Sequence, residues 1–412
     1  MNSPGSQNPE KDLSGKVTRK PSALDVATYA VEQLENNTLF NSSYGAVFTR
    51  DGINELEASV MVSRGHKKRG VGVMGLRRVR NPIKLAREML VHGDKDLVDH
   101  TALAADGSGG LDIPSAQGHT QLHGATAEQL AESYGLEMVD PSYFYTKQRW
   151  DEHIRALERE SEGQGIGTWD ANEYLPPGTC GAVALDEDGA ICAATSTGGM
   201  TNKLTGRIGD TPVVGAGFWA EEWTEDGDPT GHGPLERMRL AMQGPGPAVM
   251  LSDHLKSFLA DCLGVPSAQP LLTAEQWLLG RGLNTTRAMG VSGTGNGDSF
   301  LRTSAARTVG ALARWKPETT ARALTHVAGS GGELQRSAGE RWGRTGEGEG
   351  GMIGIECAVI RGPGGQVVDT RSDILMDYNG GGMFRAWIND EGQPIMSIWS
   401  NSGPDETPPT SS

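Results

Sequence analysis

The residues with the most chemical capacity lie in one run, Gly178 to Gly217, which reads GTCGAVALDEDGAICAATSTGGMTNKLTGRIGDTPVVGAG. It carries a hydroxyl at Thr179, a second at Thr197, a guanidinium at Arg207 and a carboxylate at Asp210. A threonine hydroxyl becomes a nucleophile only when a base takes its proton. A planar guanidinium reads a carboxylate through two parallel hydrogen bonds. Each group also has an ordinary reading. A Gly-Thr pair opening a buried strand is common, because β-branched residues favour strands. Thr197 could be a loop or capping hydroxyl, and Arg207 and Asp210, three positions apart, could simply pair with each other. Thr294-Gly295-Asn296-Gly297, a further hydroxyl among glycines, is in isolation a glycine turn.

These side chains need elements to hold them. Thr179 to Asp186 reads as a buried strand, Asp186-Glu187-Asp188-Gly189 as a turn and Ala190 to Thr195 as a returning strand, which together predict a β-hairpin. Thr195 to Gly217 reads as a loop. Ser22 to Leu34 is predicted helical, with Ser22 as cap and Asp25 at the capping-box position. Residues 39–61 read as two short strands joined by Asp51-Gly52. Asn81-Pro82 opens a helix running to Leu90, and Thr126 with Gln129 forms the capping box of another. Residues 151–177, charged and ending in Pro176-Pro177, read as a linker. Residues 221–288 read as a helical insertion, because Met250, Leu251, Leu255, Phe258, Leu259 and Cys262 follow helical spacing. VSGTGNGDSFLR (291–302) leads into a helix ending at Arg314, and GGMIGIECAVI and MDYNGGGMFRAWI read as closing strands.

Composition limits the partners. Net charge is −15, from 52 acidic against 37 basic residues, so the overall field repels nucleic acid and anionic membranes. The basic cluster His66-Lys67-Lys68-Arg69 with Arg77, Arg78 and Arg80 lacks interleaved aromatics and reads as a solvated face. No run approaches the ~20 apolar residues of a membrane span. Cys180, Cys192, Cys262 and Cys357 lie far apart without metal-ligand spacing and read as reduced thiols. His100, His119 and His123 have no ligand-like partners. The polar start, MNSPGSQNPEKDLSGKVTRK, lacks the apolar core of a signal peptide, so a cytoplasmic location is expected. Residues 1–20 and 402–412 read as disordered tails. The 58 glycines cluster at turns and motif loops.

The block GTCGAVALD, with ATSTGG (194–199), GRIGDTP (206–212), GAG (215–217) and Thr294-Gly295-Asn296-Gly297, resembles the plant-type L-asparaginase / isoaspartyl peptidase family of N-terminal-nucleophile hydrolases. The resemblance covers about 22–220 and 288–400 and breaks at the insertion. It implies an α+β fold, a four-layer αββα sandwich carrying that insertion. It implies one domain over 21–412 that cuts itself between Gly178 and Thr179, giving residues 1–178 and 179–412. The processed halves would stay together and pair into a dimer of heterodimers. Relatives begin with an apolar strand and a His-Gly-Gly-type turn that have no counterpart before Ser22, so a shortened sheet beside the nucleophile's strand is expected.

The site that the resemblance implies makes chemical sense. No His or Lys stands beside Thr179, and the amine freed by cutting before it would act as base within the same residue. Gly178 suits the strained backbone of that cut. Thr197 would tune Thr179, while the Thr294 hydroxyl and the Gly295 N–H would form the oxyanion hole. Arg207 would hold a substrate α-carboxylate and Asp210 the α-ammonium, with Gly297 in the same subsite. Such a pair selects L-asparagine or an isoaspartyl dipeptide. The loop at Leu56, Glu57 and Ala58 would wrap a structural sodium through its carbonyls, and no other cofactor is expected. The competing expectations are an aspartylglucosamine-type amidase and an uncleaved, inactive scaffold.

Overall fold

A computed structural model describes residues 20–64, 68–95, 116, 118–163, 178–227, 282–316, 319–380 and 382–398. Within them, helices α1 (Ala23–Glu35), α2 (Pro82–Lys95), α3 (Gly124–Ser133) and α4 (Lys147–Ser161) precede the Gly178–Thr179 bond, and α5 (Gly297–Thr303), α6 (Ala305–Trp315), α7 (Thr320–Ala328) and α8 (Glu333–Ser337) follow it. The strands are β1 (Leu56–Val62), β2 (Gly70–Leu76), β3 (Gln121–His123), β4 (Cys180–Leu185), β5 (Ile191–Thr197), β6 (Phe218–Asp226), β7 (Asn284–Gly295), β8 (Gly350–Arg361), β9 (Val367–Tyr378), β10 (Phe384–Ile388) and β11 (Pro394–Ile398). The fold is α+β.

One sheet has the order β3-β2-β1-β5-β4 and the other β6-β7-β8-β9, while β10 and β11 pair separately. All neighbours are antiparallel except β2 and β3. Strand alternation sorts the first sheet's residues onto two faces. Ala58, Val60, Ala184, Cys192 and Ala194 pack with Ala27 and Val31 of α1 and with Ile83, Ala86 and Met89 of α2. Met61 and Ala193, of opposite parity, pack instead with Phe218, Met289 and Val291 of the second sheet. Small residues let the two sheets approach. A Cβ on Gly181 would stand 2.1 Å from Ser292 Oγ, and one on Gly290 would stand 2.6 Å from a methyl of Ile191. The second sheet's other side carries Val309 and Ala313 of α6 and Leu324 and Val327 of α7.

Several sequence expectations are met. Ser22 caps α1 in a complete capping box with Asp25. The hairpin β4–β5 forms as expected, its turn held by Asp186 Oδ1, which accepts the N–H groups of Asp188 and Ala190. Arg78 and Arg80 pair with the exposed Glu132 and Glu137, as a solvated face would, whereas Arg77 and Lys68 reach the buried Glu55 and Glu221, and His66 and Lys67 lie outside the described residues. Cys180, Cys192 and Cys357 are free and buried. Separately from these expectations, no helix among the described residues is long and apolar enough to cross a membrane.

Others are corrected. Residues 39–55 form turns and irregular backbone rather than a strand, so only β1 appears in 39–61. The helix expected from a Thr126 capping box begins earlier, at Gly124, and Glu128 turns away to accept the N–H groups of Arg77 and Arg78. The linker expected over 151–177 is α4 as far as Ser161, tied down by buried Arg149, which donates to the carbonyls of Gly45 and Leu39. Thr197 closes β5 instead of lying in a loop. The insertion is narrower than 221–288, because β6 and β7 pair from Phe218↔Ser292 out to Asp226↔Asn284 and the Gly227 N–H reaches the Leu283 carbonyl. It therefore leaves the tip of a hairpin, where it does not interrupt the sheet. Its predicted helices lie outside the described residues, as do both expected tails apart from Lys20.

Candidate active site

Register brings the candidate groups together. Cys180 pairs with Ser196, so the next step places Thr179 opposite Thr197, and Thr197 in turn pairs with Glu57 of β1. By alternation these three side chains share the face that meets the second sheet. Thr197 is buried and its hydroxyl accepts the Gly199 N–H at 3.0 Å. On the facing strand β7, Thr294 lies against Gly178, where a Cβ on residue 178 would stand 2.4 Å from Thr294 Oγ1. Nearby, Thr195 and Ser292 join the sheets through a 2.8 Å hydroxyl–hydroxyl hydrogen bond. Thr197 of β5 and Thr294 of β7 thus lie beside the Gly178–Thr179 bond.

The Thr-Gly-x-Gly run has separate reasons for each glycine. Gly295 has φ +146°, and a Cβ there would meet the Glu349 carbonyl at 2.3 Å. Asn296 then caps α5 by accepting the Ser299 N–H. Gly297 lies against the ligand-binding candidates, because a Cβ there would be 2.5 Å from Asp210 Oδ1 and 2.9 Å from Arg207 Nη2.

Arg207 and Asp210 do not pair as expected from spacing alone. Arg207 Nη2 donates to Asp298 Oδ2 at 2.9 Å, and Asp298 is half exposed. Asp210 is 5% exposed and its Oδ2 has no hydrogen-bond partner among the described residues. Burial pushes its carboxyl up to about 7, opposed by the charge of Arg207. A buried anion short of a partner is costly, so the arrangement is suited to receiving a cation. Lys203, also buried, donates to the Glu55 carbonyl at 2.9 Å, and burial lowers its pKa.

Leu56, Glu57 and Ala58 are not a loop. They open β1, paired to Leu76 and Val73 on one side and to Thr197 and Ser196 on the other, with the register shift at Glu57. Their backbone lies in a strand with a register shift, which corrects the expectation of a loop there. Sequence reasoning missed the side chains of Glu55, Glu57 and Asp298. Carboxylates two apart at the mouth of an otherwise apolar strand were a usable signal, since buried polar groups need partners. Asp298 was hidden as an ordinary acidic residue in a helix's first turn.

An α+β chain with a threonine at a strand mouth, two further threonines and an Arg/Asp pair is the class that the resemblance implied. The family model described as Asparaginase matches residues 14–111 and 114–240, more than half of the chain, and the chain belongs to that family. It is 38% identical over 220 residues to the isoaspartyl peptidase of Escherichia coli, covering 53% of this chain and 60% of that one. It is 36% identical over 215 residues to the plant-type L-asparaginase of Pyrobaculum calidifontis, covering 52% and 61%. A probable isoaspartyl peptidase/L-asparaginase 2 of Arabidopsis thaliana matches at 26% over 400 residues, covering 92% and 86%. The stronger matches thus span about three fifths of those relatives' length.

Proposed function

We propose that this chain is a self-processing threonine amidohydrolase that releases L-aspartate from L-asparagine and isoaspartyl dipeptides. The observation that carries the reading is that Thr294 lies against Gly178, while Thr197 lies one step beyond the Cys180–Ser196 pair, so that both flank the Gly178–Thr179 bond. Thr179 Oγ attacks the Gly178 carbonyl carbon, the C–N bond breaks, and the nitrogen leaves as the free amine of Thr179. Water then hydrolyses the ester, returning the hydroxyl to Thr179 and a carboxylate to Gly178. In the mature site the amine takes the Oγ proton while Oγ attacks the substrate's side-chain amide. The same proton passes to the leaving ammonia or amine, and water hydrolyses the aspartyl ester. Thr294 Oγ1 and the Gly295 N–H stabilise the oxyanion, each donor contributing roughly 2.7–4 kcal/mol when well aligned. Arg207 moves from Asp298 to the substrate α-carboxylate, Asp210 takes the α-ammonium, and Gly297 leaves room between them.

The architecture is read as a four-layer αββα sandwich, supported by the α1/α2 and α6/α7 contacts on the outer faces of two facing sheets. Cleavage would leave β1–β3 in one fragment and β4–β5 in the other, so the β1–β5 ladder and a shared core keep the halves together. Pairing of two such processed units into a dimer, and a cytoplasmic location in line with the free cysteines, complete the reading. Aspartate release by the purified, incubated chain tests it. Turnover of L-asparagine and an isoaspartyl dipeptide, and not of glycosylated asparagine, is expected. Preference for glycosylated asparagine would favour the aspartylglucosamine-type alternative, and no turnover of any of the three would favour the inactive scaffold.

A further inference from the structure

Arg207 is bracketed by Gly206 and Gly209, and each of these glycines is held through its N–H by a buried carboxylate. Glu55 Oε2 accepts the Gly206 N–H at 2.7 Å, and Glu57 Oε1 accepts the Gly209 N–H at 2.9 Å. Glu55 is 4% exposed and Glu57 1%. Glu55 is further fixed by Arg77 Nη2 at 2.7 Å. Glu57 Oε2 has no donor among the described residues, yet it and Arg207 Nη1 each lie 2.9 Å from the point a Cβ on Gly209 would occupy. A buried carboxylate with one oxygen unused costs stability, so stability alone does not account for Glu57. Its backbone is also the direct partner of Thr197, which stands opposite Thr179.

We propose that Glu57, seconded by Glu55, is the positioning residue for Arg207. By accepting the Gly209 N–H it fixes the Gly206–Asp210 turn against the rung that carries Thr179 and Thr197. It thereby sets the affinity for a substrate α-carboxylate without touching the substrate. This rests on Arg207 being the carboxylate-binding group of the proposed function.

Two substitutions separate geometry from charge. Glu57→Asp keeps the charge but withdraws the acceptor by one methylene, whereas Glu57→Gln keeps the length and an acceptor oxygen. With L-asparagine, Glu57→Asp should raise KM about tenfold or more. Its kcat, and the KM of Glu57→Gln, should stay within about threefold of the parent. With β-alaninamide, which lacks the α-carboxylate, Glu57→Asp should lose nothing. Equal loss on both substrates, or Glu57→Gln as impaired as Glu57→Asp, overturns the proposal. Amide hydrogen exchange over 206–210, in a Thr179→Ala background, reads the clamp without catalysis. Faster exchange in Glu57→Asp with parental protection in Glu57→Gln is expected, and unchanged exchange in Glu57→Asp overturns it. If the parent chain turns over neither substrate, the functional reading fails while the exchange result still decides the clamp.

Discussion

Gly178 presents its Cα directly to the Thr294 hydroxyl, close enough that any side chain at 178 would collide with Oγ1 at 2.4 Å. A glycine at 178 is therefore required by contact across the two sheets, which adds to the backbone freedom that the proposed cleavage would use. Gly178→Ala should push Thr294 aside and slow fragment formation. Partial loss of one oxyanion donor predicts a slowing of about tenfold or more. A time course of fragment formation by gel reads this directly, and an unchanged rate would remove Thr294 from the cleavage step.

Asp210 provides a pH signature. Burial raises its carboxyl from 3.8 to about 7, so the group is mostly protonated below that point and cannot hold an ammonium. The affinity for L-aspartate as a competitive inhibitor should rise about tenfold per pH unit on approaching neutrality and level off above it. Asp210→Asn should bind more weakly and lose this dependence. Measuring inhibition rather than turnover keeps the Thr179 amine from contributing its own limb. An inhibition constant that is flat across this range would place the ammonium elsewhere.

How much of this was legible in the sequence differs from residue to residue. Ser22 and Asp25 announced α1, and Asp186 with Gly189 announced the hairpin, because caps and tight turns are local chemistry. Thr126 misled because the helix starts two residues earlier, at Gly124, which leaves Thr126 inside the first turn and not at its cap. The threonines were visible as residue types, but only register puts Thr197 opposite Thr179 and only sheet packing brings Thr294 to Gly178. Arg207's pairing with Asp298 instead of Asp210 likewise depends on where α5 starts. Long-range partners of this kind leave no periodic trace in the chain.

Glu35 should make folding stability depend on pH. It is fully buried between α1, α2 and β5, accepting from Ser196 Oγ at 2.6 Å, the Ile83 N–H at 3.0 Å and Asn81 Nδ2 at 3.1 Å. Burial nevertheless pushes its carboxyl up from 4.5 to about 7, with the Ser196 hydrogen bond opposing. A raised folded pKa favours the folded state below the unfolded value, and that contribution is lost as pH rises through the folded one. The loss between pH 4.5 and about 7 amounts to roughly 3 kcal/mol at most. Denaturant unfolding of the Thr179→Ala chain should show this decline with rising pH. Glu35→Gln should roughly halve it, leaving the comparable slope due to Asp210, whose carboxyl is raised from 3.8 to about 7. An identical slope in Glu35→Gln would assign the dependence to other groups.

The central claim is that Thr179 is the nucleophile of its own cleavage, and intact mass before and after incubation tests it most directly. The parent chain should resolve into residues 1–178 and a fragment with a new N-terminus at Thr179, while Thr179→Ala stays whole. A single uncut mass in the parent, or fragments that persist in Thr179→Ala, would contradict the account.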